Sequence, residues 1–394
     1  MNRPRFWPYS LRGALIVLAA SGLTFWFHHI GLFDRWENDN LDRWLLTQQP
    51  RQSEDIVLVV IDEDDYRTMF GSASPLKTEG VLGIIRAIAA GKPKVVGVDL
   101  DTSQWATKDE LKQVKQFKDE QIKGGITFPQ VVWARDGWTE NGQFQMAPVL
   151  GDDPQDICYG LPALRVDGDG IVRRFFPVYS PAGEAPGFST AVKRLYQGGQ
   201  NCNNTAAGSG GHSEENERLI DFLGSRDSFR RLTAGAIVRL SKIKEWQTHS
   251  DFNGKIALLG GAYRAARDRH ATPVGMMDGV EILAHAIQTE LPGQPTLTEA
   301  NPAVYLAADI AFGLTLVVGL YRLSAVWRIM ALLGSVPLAI LASLLMFNTA
   351  GYFFSFVPVI AGVRIHQVIE QYFEGRELRQ ENQELRHKLA LRNL

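Results

Sequence analysis

The stretch IVLVVIDEDD (Ile56–Asp65) decides the fold. Its first six residues are apolar and mostly β-branched with no polar residue between them, the pattern of a strand buried on both faces. The run stops at Asp62, inside the cluster Asp62, Glu63, Asp64, Asp65. Downstream, Val81, Leu82, Ile85, Ile88 and Ala89 recur at helical spacing, with Thr78 placed to cap that helix and Gly91 and Pro93 to end it. A second apolar strand, KVVGV (Lys94–Val98), exits at Asp99 and Asp101. Strand, helix and strand in this order predict a parallel pair with a right-handed crossover. Asp62 and Asp99 are therefore expected close together, at the same edge of adjacent strands. In open α/β sheets that carboxyl edge is where ligands bind. The expected fold class is α/β, a mixed sheet around a parallel strand-helix-strand core.

Outward from this core, the chain becomes apolar at both ends. Gly13–Phe33, Val304–Tyr321 and Ile329–Phe347 are long enough to cross a bilayer, which takes about 20 residues. Gly351–Ile369, which carries Pro358, Arg364 and His366, is read as a fourth span. Arg3, Arg5 and Arg12 precede the first span, Arg322 and Arg328 bracket the turn between the second and third, and the tail after the fourth is rich in Arg and Lys, whereas Asn348–Tyr352 carries no charge. The positive-inside rule then predicts a cytoplasmic segment 1–12, spans at 13–33, 304–321, 329–347 and 351–369, an outer domain at 34–301 and a cytoplasmic helix at 370–394. A net charge of −2 argues against a nucleic-acid partner. Cys158 and Cys202 both fall in the outer domain, where an oxidising compartment would let them pair, but two cysteines far apart leave the pairing open.

Within the outer domain, Phe33–Trp44 is amphipathic and expected to prolong the first span as an unbroken helix that carries movement between bilayer and domain. Thr107–Lys123 reads as a charged helix with Leu111, Val114, Phe117 and Ile122 on its core side. Ala163–Val166 and Ile171–Val178 flank Asp167-Gly168-Asp169-Gly170 as a hairpin, whose two aspartates fall short of a calcium loop. A short strand is expected at Arg218–Phe222. The buried strand KIALL (Lys255–Leu259) ends at Gly260-Gly261, where bare backbone admits a ligand or a neighbouring loop. Neither GxGxxG nor GxxxxGK[ST] occurs, and Glu281 with His285 one turn on is read as a hydrogen-bonding pair rather than half a metal site. No metal, cofactor or catalytic residue is expected, and the protein is not read as an enzyme.

Taken in order, IVLVVIDEDD, KVVGVDLD, DGDGIVRR (Asp167–Arg174) and GKIALLGG, then Asp268, Thr272-Pro273 and GVEILAHA (Gly279–Ala286), resemble the type-two CHASE domain. That family is an extracytoplasmic sensor of bacterial adenylate cyclases, histidine kinases and diguanylate cyclases, flanked like this chain by one span before and three after. The resemblance departs at Ser74-Pro75-Leu76-Lys77, where the family carries a tryptophan-proline-arginine element. It implies a multi-pass protein of the bacterial inner membrane with its main domain periplasmic or extracellular. The candidate ligand contacts are Asp62, Asp64, Asp99, Asp101, Arg173, Gly260 and Asp268.

No cyclase or kinase output domain is expected after the spans. The segment Ile365–Leu394 reads instead as a charged helix with Leu378, Asn382, Leu385 and Leu389 at spacings of four, three and four. This is a two-heptad seam with asparagine at an a-type position, which favours a parallel dimer in one register. Asp309 lies inside the second span, about 8 to 10 Å from its outer end at a rise of 1.5 Å per residue, and is a candidate for intramembrane coupling. The expected function is a membrane-bound sensor or regulatory subunit, a homodimer or larger assembly, relaying an outside signal to a separately encoded cytoplasmic effector. The alternative is a structural or docking subunit of an envelope complex.

Overall fold

The computed structural model describes residues 6–124, 128–140, 143–150, 157–179, 185–199, 217–224, 226–321 and 325–392. They form two compact units, one of Leu45–Leu297 and one of Met1–Trp44 with Thr298–Leu394.

The Leu45–Leu297 unit is built on a six-stranded sheet in the order Arg230–Thr233, Ile56–Ile61, Ile256–Gly261, Val95–Asp99, Gln130–Ala134, Tyr159–Gly160. Every neighbouring pair in it is parallel. Alternation along the strands explains the unbroken apolar runs. Val57, Val59, Ile61, Val96, Val98 and Leu259 face one core, packed against Leu82, Ile85 and Ile88 of helix Thr78–Ala90, Ile237 of Ala234–Leu240 and Phe117 of Lys108–Gly124. Ile56, Leu58, Val60, Val95, Ile256 and Leu258 face a second core, packed against Phe188 and Val192 of helix Phe188–Tyr196 and Leu283 and Ile287 of Gly279–Glu290. A sheet covered by helices on both faces needs apolar side chains at every position.

Several expectations are corrected. Ile56–Ile61 and Val95–Asp99 are parallel but not adjacent, because Ile256–Gly261 lies between them and pairs with both. The crossover rule fixes direction and handedness, not adjacency, and a third strand buried on both faces fits best in the middle. The central sheet is wholly parallel rather than mixed. Antiparallel pairing is confined to small satellites, such as Leu164–Val166 with Val172–Phe175 and Arg269–Thr272 with Gly275–Asp278. Thr78 is the first residue of its helix rather than its cap, a place taken by Lys77 without a side-chain hydrogen bond. The strand expected at Arg218–Phe222 is only Arg218–Leu219, paired with the hairpin strand Val172–Phe175.

The other unit contains helices Phe6–His29, Pro302–Tyr321, Ala325–Ala350 and Val357–Arg392, and the start of Asp34–Thr47. The first helix does not continue unbroken into the amphipathic segment. It closes at Gly31, where the backbone is left-handed (φ 74°), Gly31 N–H donates to the His28 carbonyl and Leu32 N–H donates to the Phe27 carbonyl. This is the glycine C-cap that ends helices, and Gly13–His29 and Asp34–Thr47 meet at 79°. Tyr352–Phe353 pairs in parallel with Thr298–Glu299. The segment 351–369 therefore opens on a strand, and its helix begins at Val357 and runs on to Arg392. Among the described residues no single helix is long and apolar enough to cross a membrane. The bent pair of Gly13–His29 and Asp34–Thr47 meets the length and composition together, and Pro302–Thr315 and Val336–Ala350 are shorter apolar helices.

Candidate functional site

The loops leaving the carboxyl ends of the parallel strands enclose a cleft of about 550 Å³. Asp99 is the last residue of its strand and Asp101 lies just beyond it in the same loop, accepting hydrogen bonds from the Ser103 N–H (2.9 Å) and hydroxyl (2.6 Å). Thr102, buried beside it, accepts from the Leu150 N–H at 3.1 Å and so ties this loop to the next. Asp136 enters two residues beyond Gln130–Ala134. Asp268 comes from the turn after Ile256–Gly261, and its carboxylate lies against the first residue of helix Gly279–Glu290: a Cβ on Gly279 would stand 2.2 Å from Asp268 Oδ2. A helix amino end favours a carboxylate there. His270 Nε2 shares a 2.9 Å hydrogen bond with Asp268 Oδ1. Ser74, Gly261, Tyr263 and Arg267 complete the part of the wall that bears on recognition.

Two of these carboxyls, Asp99 and Asp136, resist ionisation. Desolvation, then the nearby charges of Asp268 and Asp136, hold the Asp99 carboxyl well above the ordinary carboxylate range. The hydrogen bond to Asp268 holds the His270 imidazole above its ordinary value. Among the described residues no group of three or more side chains suits a metal ion. A cationic or strongly hydrogen-bond-donating ligand would instead relieve the crowding, because opposite charge favours the ionised carboxylate.

The cleft gathers Asp99, Asp101 and Asp268 from the seven candidate ligand residues; the other four lie elsewhere. Asp62 caps helix Glu63–Phe70, accepting the Asp65 N–H at 2.8 Å. Asp64 is exposed and pairs with Arg67 at 2.8 Å. At Gly260 a Cβ would meet Val280 Cβ at 2.5 Å, so that glycine lets helix Gly279–Glu290 close on its strand, while Gly261 reaches the cleft. Arg173 is fully buried, 2.9 Å from Asp167 and 2.7 Å from Asp169, and Arg174 reaches Asp167 at 2.9 Å. The DGDGIVRR motif is thus a turn whose two acids are answered by its two arginines, and Arg173 holds the Asp169 carboxyl below the ordinary range.

His285 accepts the Leu223 N–H through Nδ1 at 3.2 Å, and burial, with Arg51 nearby, pushes its imidazole down to about 3. Glu281 lies 3.6 Å from Arg231, so the two residues read as a pair from sequence answer different partners. Cys158 is half-buried just before Tyr159–Gly160, and Cys202 lies outside the described residues. In the other unit Asp309 is 5% exposed, Leu378 and Leu385 are 60% and 50% exposed, Asn382 is exposed, and the Leu389 side chain lies outside what is described.

Sequence reasoning misses Asp136, Thr102, Tyr263, Arg267 and His270. Asp136 carries a signal, since it stands after the apolar strand QVVWA at the same offset at which Asp101 stands after its own strand. His270 carries none, because its place depends on Arg269–Thr272 folding back on Gly275–Asp278.

This parallel sheet, covered on both faces, carries a polar cleft at its carboxyl edge, the edge where open α/β sheets bind ligands. The family model of the CHASE2 domain matches residues 14–320, and the chain belongs to that family, whose members are extracytoplasmic sensory domains. No curated protein and no solved structure matches the chain.

Proposed function

We propose that this protein is a multi-pass membrane sensor whose Leu45–Leu297 unit receives a small cationic ligand in the acidic cleft and relays its arrival through the flanking helices to a separate cytoplasmic effector. The observation that carries the proposal is the convergence of Asp99, Asp101, Asp136 and Asp268, supplied by the loops after three different parallel strands, around a cavity of about 550 Å³. A cavity of that size suits a compact molecule, and its carboxylates suit an ammonium or guanidinium group. In this reading the four apolar segments cross the inner membrane with both termini inside. The exposed Leu378 and Leu385 meet a second copy along the last helix, with Asn382 fixing the register. Cys158 and Cys202 pair outside the membrane. The protein transmits rather than catalyses.

The experiment is thermal unfolding of the full-length protein against a panel of small amines and guanidinium compounds, putrescine and agmatine among them. A ligand at one hundred times its Kd adds about 2.7 kcal/mol, which for a unit of this size raises the midpoint by roughly 5 to 10 °C. Asp268→Asn and Asp99→Asn should each reduce that rise, measured against the variant's own ligand-free midpoint. A rise that survives both substitutions would place the ligand elsewhere.

A further inference from the structure

A second, smaller cavity lies in the helical unit, and none of its geometry depends on the cleft. Asp309, in the second turn of helix Pro302–Tyr321, is 5% exposed, and its carboxyl lies directly against the last helix: a Cβ on Gly362 would meet Asp309 Oδ1 at 2.3 Å. The Ser21 hydroxyl of the first helix donates to this carboxyl. Its Oδ2, however, has no hydrogen-bond partner among the described residues. Beside it is a small cavity of about 10 Å³, lined by Ser21, Thr24, His28, Tyr305 and Asp309 together with the apolar Phe25, Leu306 and Pro358. One turn from Asp309, the Tyr305 hydroxyl accepts the Ser355 N–H at 3.1 Å, which leaves its own proton free to donate. The Thr24 hydroxyl donates to the Ala20 carbonyl and keeps its lone pairs.

A cavity of about one probe sphere can hold one water if two to four polar partners face it. Tyr305 with a free donor, Asp309 with a free acceptor and Thr24 with spare lone pairs are among the residues that line it. A bare metal cation would need more oxygen ligands than these groups supply, and an organic ligand would not fit. An unanswered buried carboxylate oxygen is costly, and one bridging molecule removes that cost.

We infer that this cavity is a hydration site, in which one water accepts from the Tyr305 hydroxyl and donates to Asp309 Oδ2. The result is a directional chain, Ser355 N–H to Tyr305 to water to Asp309, with Ser21 donating from the other side. It joins the first helix, the Pro302–Tyr321 helix and the segment leading into the last helix through a single buried molecule. A shift of the first helix or of the last helix breaks the chain, so Tyr305, Ser21 and Gly362 are positioning residues for Asp309 in the coupling of these helices.

The test uses the full-length protein in lipid nanodiscs, with infrared spectra compared between ordinary water and water carrying heavy oxygen. Wild type should show one buried-water O–H band that shifts with the heavy isotope. Asp309→Leu and Tyr305→Phe should each lose it, and Thr315→Ala, an exposed hydroxyl of the same helix, should keep it. Asp309→Asn, which retains an acceptor, should keep the band at a displaced frequency and covers the case in which Asp309→Leu does not fold. In thermal unfolding, Tyr305→Phe and Asp309→Asn should couple, the double variant melting no lower than the worse single variant. Absence of an isotope-sensitive band in wild type, its persistence in Tyr305→Phe, or fully additive midpoint shifts would overturn the proposal.

Discussion

Arg173→Met removes the guanidinium at the centre of the hairpin while keeping most of the side-chain volume. Arg173 is fully buried and lies 2.9 Å from Asp167 and 2.7 Å from Asp169, and the Asp167 side chain is itself only 3% exposed. Breaking a buried ion pair from one side costs about 3–5 kcal/mol, because the stranded charge keeps its desolvation penalty. Asp167 retains Arg174 at 2.9 Å and Arg165 at 3.4 Å, which places the expected cost near the lower end of that range. At roughly 2–4 °C per kcal/mol for a unit of this size, a loss of about 3 kcal/mol lowers the midpoint by roughly 6–12 °C. The assay is circular-dichroism melting of the separately expressed Leu45–Leu297 unit.

The pH dependence supplies a sign. Asp169 has its pKa lowered by Arg173, so it contributes stability above its unfolded value that is lost as the pH falls through its folded value. The gap between wild type and Arg173→Met should therefore narrow as the pH drops below the ordinary carboxylate value of about 3.9. A midpoint change at neutral pH equivalent to less than about 1 kcal/mol would refute the structural role and return Arg173 to the ligand contacts.

The same geometry makes further outcomes measurable. Asp99 titrates above its unfolded value, so its contribution is full below that value and is lost as the pH rises; between its unfolded and folded values, stability should fall by about 1.4 kcal/mol per pH unit more steeply in wild type than in Asp99→Asn. Parallel pH profiles would contradict the crowding of the cleft. Gly260→Val forces a Cβ to within 2.5 Å of Val280 Cβ and should cost about 1–3 kcal/mol or more through overpacking, measured by urea unfolding; a neutral result would mean that helix Gly279–Glu290 is not seated as described. Leu385→Cys should crosslink to itself in membranes if the last helix forms the proposed dimer. Crosslinking only to a different protein would favour a docking subunit.

The core of the fold is legible because its strands declare themselves locally. IVLVVI, VVGV and IALL carry no polar side chain, as burial on both faces demands, and that demand is written in six residues or fewer. Strand order is not legible, because the place of Ile256–Gly261 between the first two strands depends on packing across nearly two hundred residues. Half of the cleft comes from one rule, that acids closing buried strands gather at one edge, which finds Asp99 and Asp101 and extends to Asp136. The rule misassigns Asp62, because at the start of a helix the same residue type is equally suited to capping. Arg173 is misread for a related reason: in sequence, an arginine near two aspartates looks the same whether it answers them or a ligand. The break at Gly31 is open to detection as a glycine C-cap, and is hidden by the apolar residues that continue past it.

In the proposed relay, occupancy of the cleft changes the helices. The most direct measurement is the rate of self-crosslinking of the Leu385→Cys protein in native membranes, with and without whichever amine or guanidinium compound stabilises the full-length protein. The compound should change the crosslinking rate severalfold, and Asp268→Asn should abolish the change while leaving the ligand-free rate as it was. Stabilisation by the compound with an unchanged crosslinking rate would contradict the relay and leave a binding domain that does not signal through this helix.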